Sequence, residues 1–167
     1  MPKVGFIMGS DSDWPVMEPG YRLLGELGLS AEVLVASAHR TPEDVRLFAE
    51  GAAARGLCAI IAGAGAAAHL PGVVAAFTTL PVIGVPVSGS ALNGLDALLS
   101  IVQMPPGIPV AAMAVDGSRN AALFAAAIAA LGDAEAAERL AGFRRKQAEG
   151  VRAKNLALQD KIKPTGL

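Results

Sequence analysis

The sequence predicts a three-layer α/β sandwich, a parallel sheet of five strands with helices on both faces, followed by a helical extension. Three observations carry this. Short apolar runs alternate along the chain with segments of helical periodicity. From Gly56 to Leu95 no Asp, Glu, Lys or Arg occurs, as strands buried on both faces require. The chain has 167 residues, 53% hydrophobic and 17% charged, enough for one domain with a substantial core and too apolar for disorder.

Lys3 to Met8 is an apolar run stopped by Gly9 and reads as the first strand. Ser12 to Gly28 has helical spacing, with Trp14, Met17, Tyr21, Leu24 and Leu27 on one side. Glu32 to Ala36 is the second strand. Thr41-Pro42-Glu43-Asp44 opens the second helix: Thr41 can cap it, Pro42 suits its first turn and the acids face the positive end of the dipole. Arg55-Gly56 closes that helix, and Leu57 to Ala62 is the third strand. A Gly/Ala-rich turn and a helix from about His69 to Thr78 follow. Pro81 to Val87 is the fourth strand and Ala91 to Gln103 its helix; Val110 to Val115 is the fifth, and Asn120 to Leu131 is an Ala-rich helix ending at Gly132. Right-handed crossovers leave few topologies, of which the flavodoxin-like (Rossmann-like) strand order 2-1-3-4-5 is expected.

Residues 1–132 therefore form the α/β domain and 133–167 a C-terminal helical extension. Between Asp133 and Lys163 stand eight basic and five acidic residues, against six and ten in the body. Interspersed acids favour a solvated or neighbour-packing helix, using Leu140, Phe143, Val151 and Leu156, over a nucleic-acid tail. A net charge of -1 argues against a general nucleic-acid or anionic-membrane binder. Mean hydropathy is high at +0.47. Even so, Gly63, Gly65, His69, Pro71 and Pro81 break up the charge-free stretch, and a membrane span is not expected. The lone Cys58 cannot pair within the chain, lies in an apolar strand and is expected to be buried and inert. With no signal-peptide pattern after Met1, a cytoplasmic location is expected.

Ligands on such a sheet bind outside the carboxyl ends of the strands, where the winding reverses between strands one and three. Gly9-Ser10-Asp11-Ser12-Asp13 follows strand one: its hydroxyls and helix-start amides can hold phosphate and a carboxylate suits sugar hydroxyls, while ordinary capping by Ser12 or Asp13 explains it equally well. Ser37-Ala38-His39-Arg40-Thr41-Pro42 follows strand two. Arg40 offers a planar, permanently charged fork for phosphate, and the His39 imidazole can carry protons at neutral pH. Gly63 to Gly72 follows strand three. Its G-x-G-x-x-A pattern stands on the wrong strand for NAD and has no acid about 20 residues on. Small residues there either let backbone amides approach a small anionic or planar group or serve tight helix packing. Both histidines, His39 and His69, fall at this edge. There is no Cys/His spacing for zinc, no G-x-S-x-G elbow and no P-loop, and few aromatics to stack a flavin. A phosphoryl-accepting receiver would want an Asp where Gly63 stands.

MGSDSDW at Met8 to Trp14, SAHRTP at Ser37 to Pro42, AGAGAAAHLPG at Ala62 to Gly72, LPVIGVPV at Leu80 to Val87 and SIVQMPPGIPV at Ser100 to Val110 occur in this order. Together they resemble the bacterial class I N5-carboxyaminoimidazole ribonucleotide mutases, the phosphoribosylaminoimidazole carboxylase catalytic-subunit family, over roughly Val4 to Leu131. Class II enzymes, which carboxylate aminoimidazole ribonucleotide directly, have lysine where Arg40 stands and a polar Arg-Ser-Asn segment in place of the Gly/Ala-rich one. Two departures stand out: Ala66 replaces a common glycine, and Asp116 to Asn120 is shorter than the family's usual loop. The resemblance implies an isomerase of de novo purine (IMP) biosynthesis that needs no cofactor and no metal. It also implies a cytoplasmic homo-octamer whose C-terminal segment packs on neighbours. By the same resemblance His39 is the general acid/base, Arg40, Ser10, Ser12 and Ser37 bind phosphate, and Asp13 binds ribose. The resemblance further implies that Ala64, Gly65 and His69 bind substrate, and the loop from Ala64 to His69 is expected to form a small dry cavity that traps CO2. Direct CO2-dependent carboxylation and a non-catalytic nucleotide- or flavin-binding module are the alternatives.

Overall fold

The computed structural model describes residues 1–162. β1 (Lys3–Met8) leads through a 3-10 turn, Asp11–Asp13, into α1 (Trp14–Glu26). β2 (Ser30–Val35), α2 (Pro42–Glu50), β3 (Leu57–Gly65), α3 (Leu70–Ala76), β4 (Val82–Val87) and α4 (Leu95–Val102) follow, then β5 (Ala111–Ala112), α5 (Ser118–Ala129) and α6 (Ala134–Ile162). All strands pair in parallel in the order β2-β1-β3-β4-β5. The three-layer arrangement is the one expected.

The pleat divides the core in two. Val4, Phe6 and Met8 pack with Met17, Leu23 and Leu24 of α1 and with Ala121, Ala122 and Ala125 of α5. On the other face Ile7, Ile60 and Ala62 meet Val45 and Phe48 of α2, Val74 of α3 and Ile101 of α4. The charge-free stretch supplies the central strands, and β4 is buried along its whole length. Small residues let α1 and α5 approach closely: buried Ser118 donates its hydroxyl to the Val16 carbonyl at 2.5 Å, and a Cβ at Gly20 would collide with the Ser118 backbone.

Several boundaries differ from expectation, each for a local reason. The first helix begins at Trp14, after the 3-10 turn. Tyr21 is 39% exposed, its ring set edge-on against Phe6 and tilted against Trp14 at the rim of the core. α2 stops at Glu50, and turns carry the chain to Gly56, whose φ of 79° reverses it. β3 runs on to Gly65, because Ala64 and Gly65 stay in register with Pro86 and Val87. α4 starts only at Leu95, after Gly94 in the left-handed region. β5 keeps two residues of the expected Val110 to Val115. Cys58 is half-buried rather than buried, and its partial burial pushes the thiol pKa up.

α6 is about 44 Å long at 1.5 Å per residue over its 29 residues. Its root is fastened: Asp133 accepts the Ala136 N–H at 2.8 Å, and Arg139 Nε donates to the Leu27 carbonyl at the end of α1 at 2.7 Å. Leu140 is buried and Phe143 packs against the same core. Val151 and Leu156, expected to pack, are 67% and 65% exposed within this chain. The expected extension's residues 163–167 lie outside the described residues. No helix among the described residues is long and apolar enough to cross a membrane.

Candidate functional site

Sheet register decides where the loops meet. Met8 lies level with Val35 and with Gly63, and Gly65 with Val87, so four strands end at one edge. The Gly9 N–H bonds the Gly63 carbonyl at 3.3 Å, drawing the first and third loops together. Between the loops opens a cavity of about 470 Å³. All nine residues singled out in the sequence line it: Ser10, Ser12, Asp13, Ser37, His39, Arg40, Ala64, Gly65 and His69.

The first loop is a capping box. Ser10 Oγ accepts the Ser12 N–H at 3.3 Å, and the Asp13 carboxylate accepts the Ser10 N–H at 3.2 Å. The cap is thus Ser10 with Asp13, where Ser12 or Asp13 was expected to cap, and both of these residues also face the cavity. Burial raises the Asp13 carboxyl above the usual range, opposed by bonds from the Ser10 and Gly9 backbone and reinforced by the charge of Asp11.

In the second loop Ser37 Oγ accepts the N–H groups of His39 at 3.4 Å and Arg40 at 3.2 Å, with Arg40 Nε at 3.4 Å. All three bonds use the acceptor side of the oxygen, which leaves the hydroxyl proton for a ligand. The Arg40 fork also reaches the Gly9 carbonyl at 3.4 Å, spanning loops one and two. Thr41, expected to cap α2, makes no cap bond; its hydroxyl oxygen takes the Ser37 N–H at 3.0 Å and so holds the loop instead.

His39 Nε2 lies 2.8 Å from His69 Nδ1, with the rings nearly perpendicular. At this distance one ring can donate to the other, the direction set by the tautomer, and the pair can pass a proton along. Beside them the Gly/Ala loop turns through Ala66 at φ 51°, in the left-handed region. Ala64 and Ala68 are buried, but Ala66, Ala67 and both imidazoles are exposed. The expected dry pocket is therefore open to solvent on one side in the single chain.

A fourth wall, Ser88-Gly89-Ser90 after β4, was missed. The signal available was its place after a strand's carboxyl end, the criterion applied to the other three loops. The Asp116 to Asn120 segment enters here, since the Asp116 carboxylate accepts both the Ser88 N–H and hydroxyl at 2.8 and 2.7 Å. The cavity wall carries no Phe, Tyr or Trp. Among the described residues no three His, Cys, Asp or Glu side chains gather as metal ligands.

Residues 3–150 match the model of the AIR carboxylase family. A Mycobacterium tuberculosis N5-carboxyaminoimidazole ribonucleotide mutase is 55% identical over 95% of this chain and 91% of its own length. The Pyrococcus abyssi protein of the same name is 58% identical over 86% and 83%. Among solved structures, Treponema denticola PurE superposes with a TM-score of 0.86 at 30% identity, covering 98% of this chain and 99% of that one.

Proposed function

Because the chain belongs to the AIR carboxylase family, we propose that it moves the carboxylate of N5-carboxyaminoimidazole ribonucleotide from the exocyclic nitrogen to the ring carbon, as a class I enzyme. The product is 4-carboxy-5-aminoimidazole ribonucleotide, an intermediate of purine (IMP) biosynthesis. The observation that carries this reading is the His39–His69 contact at 2.8 Å, set in a cavity between the Arg40 fork and a loop of small residues.

Arg40, Ser37, Ser10 and Ser12 hold the phosphate by charge and hydrogen bonds, and Asp13 accepts from ribose hydroxyls. His39 protonates the exocyclic nitrogen as the carbamate C–N bond breaks, leaving an amine and CO2. Ala64 and Gly65 hold CO2 where the ring carbon attacks it, and His39 takes back the proton which that carbon loses. Protons balance over the cycle, so a single acid/base suffices, and His69 orients it. No step calls for a cofactor or a metal ion. The absence of an aromatic wall speaks against a flavin carrier, and Arg40 with the Gly/Ala loop, by the resemblance drawn from the sequence, supports the mutase over the direct-carboxylase reading.

We propose that the same chain forms a cytoplasmic homo-octamer, with α6 packing on neighbours and the cavities lying near subunit boundaries. Residues 1–132 serve as the catalytic domain and 133–167 as the assembling extension. The decisive experiment compares substrates. Turnover of the carbamate nucleotide without added bicarbonate is expected; activity only with aminoimidazole ribonucleotide plus bicarbonate or CO2 would replace mutase by carboxylase. Visible flavin absorbance in the purified protein would favour the carrier. A monomer by light scattering at micromolar concentration would contradict the octamer.

A further inference from the structure

Serines on opposite walls of the cavity are wired in opposite senses. Ser37 accepts three N–H groups, so toward a ligand it can donate. Ser88 is the reverse: its N–H and its hydroxyl both go to the Asp116 carboxylate, at 2.8 and 2.7 Å. An ionised carboxylate only accepts, so the direction of both bonds is fixed and only hydroxyl lone pairs remain for the cavity. Ser90 repeats the arrangement, donating its hydroxyl to Asp96 at 2.8 Å while accepting the Leu92 N–H at 3.3 Å, which leaves one lone pair. Asp116 comes from beyond β5 and holds a φ of 57°, its N–H tied to the Pro86 carbonyl at 2.8 Å. A non-glycine backbone kept in the left-handed region is strained, and the neighbouring contacts over-determine it.

From this we infer that Ser88 and Ser90 form an acceptor wall, polarised by Asp116 and Asp96, that selects an N–H donor on the ligand. Asp116 is a positioning residue. The inference rests on the mutase reading, under which the donor is the exocyclic amino group of the aminoimidazole. An anionic group would meet lone pairs backed by carboxylates on this wall, so phosphate is steered to the Arg40 side. Without the wall the substrate's two ends are told apart only at one end.

The test uses Asp116→Asn and Ser88→Ala in the full chain. The two Ser88 donors go to different oxygens of Asp116; with the amide oxygen kept on the backbone N–H, asparagine puts a donating NH2 where the hydroxyl's acceptor stood, and the hydroxyl proton becomes free to turn into the cavity. Ser88→Ala keeps the backbone bond to Asp116 and removes the hydroxyl, both its lone pairs and its bond to the Asp116 carboxylate. In both variants binding of aminoimidazole ribonucleotide should weaken about tenfold, and for the carbamate nucleotide that is turned over the loss should fall on KM rather than kcat. Ribose 5-phosphate, which has no amino group, should bind all three proteins equally. Equal weakening of both ligands would show Asp116 to be a loop anchor and overturn the inference. So would unchanged binding of the aminoimidazole nucleotide by variants of a wild type that turns over the carbamate. A wild type that neither binds nor turns over these nucleotides would instead take down the mutase reading itself.

Discussion

The two ends of the sheet treat their charges in opposite ways. Toward the amino end, Glu32 of β2 is held by Lys3 and Arg55, each at 2.8 Å, and these partners keep its carboxyl below the usual range. Arg55 also donates to the Phe48 carbonyl and lies over the Phe48 ring. At the carboxyl end, Asp13 is pushed the other way by burial, the two histidines have mainly each other, and Arg40 makes only long bonds of 3.4 Å through its guanidinium. One end spends its charges on the fold, and the other keeps them for something that is not protein.

The largest expected breach of that division is His39→Asn. Turnover should fall about 10²- to 10⁴-fold with the unfolding midpoint kept; near-normal turnover of a folded variant would sink the acid/base role. Arg40→Lys replaces a planar fork by a point charge and should weaken substrate binding about tenfold with the fold intact; calorimetric affinity equal to wild type would remove the phosphate role. At the other end the pattern should invert. Glu32→Gln should cost about 0.5–1 kcal/mol of stability by denaturant titration and leave turnover alone.

The pH dependence sharpens the contrast. Glu32 has a lowered pKa, so its contribution is present above the ordinary carboxylate range and lost as pH falls through its folded value. The stability gap between wild type and Glu32→Gln should then close in acid. Asp13 has a raised pKa, so protonation favours the folded state, and wild type should lose stability relative to Asp13→Asn as pH rises from the ordinary value through the raised one. Urea midpoints across this range check both signs. The smallest effect concerns Ala66, whose φ of 51° suits glycine. Ala66→Gly should gain from a few tenths to about 1 kcal/mol, the left-handed penalty less glycine's entropy.

Strand positions were legible because burial on both faces forces apolar runs, and helix starts because Pro42, Glu43 and Asp44 announce one. Ends were less so. Gly63 to Gly65 looks like a turn in one dimension, yet pairing with β4 carries β3 through it. Residues 91–94 look helical, but Gly94 delays α4. In the site, the imidazoles, the guanidinium and the helix-start serines were visible because their chemistry stands out beside a strand end. Ser88 and Ser90 were not: serines flanking a glycine signal only a turn, and the role of Ser88 depends on an aspartate 28 residues away. The contact between His39 and His69 spans 30 residues and needed β1 to lie between β2 and β3.

The shortness of β5 bears on how the sheet avoids growing edge to edge into another chain's strands. An apolar central strand such as Val82–Val87, if left open, would template further strands from any chain it met. Here the segment from Ala111 to Asp116 closes that side: Ala111 and Ala112 pair with Ile83 and Gly84, the Met113 N–H reaches the Gly84 carbonyl, and the Asp116 N–H reaches that of Pro86. Pro86 has no N–H to leave unpaired. Two residues of ladder, followed by irregular backbone, are too short and too bent to seed a growing sheet. An apolar strand is thereby covered by one of the chain's least regular elements.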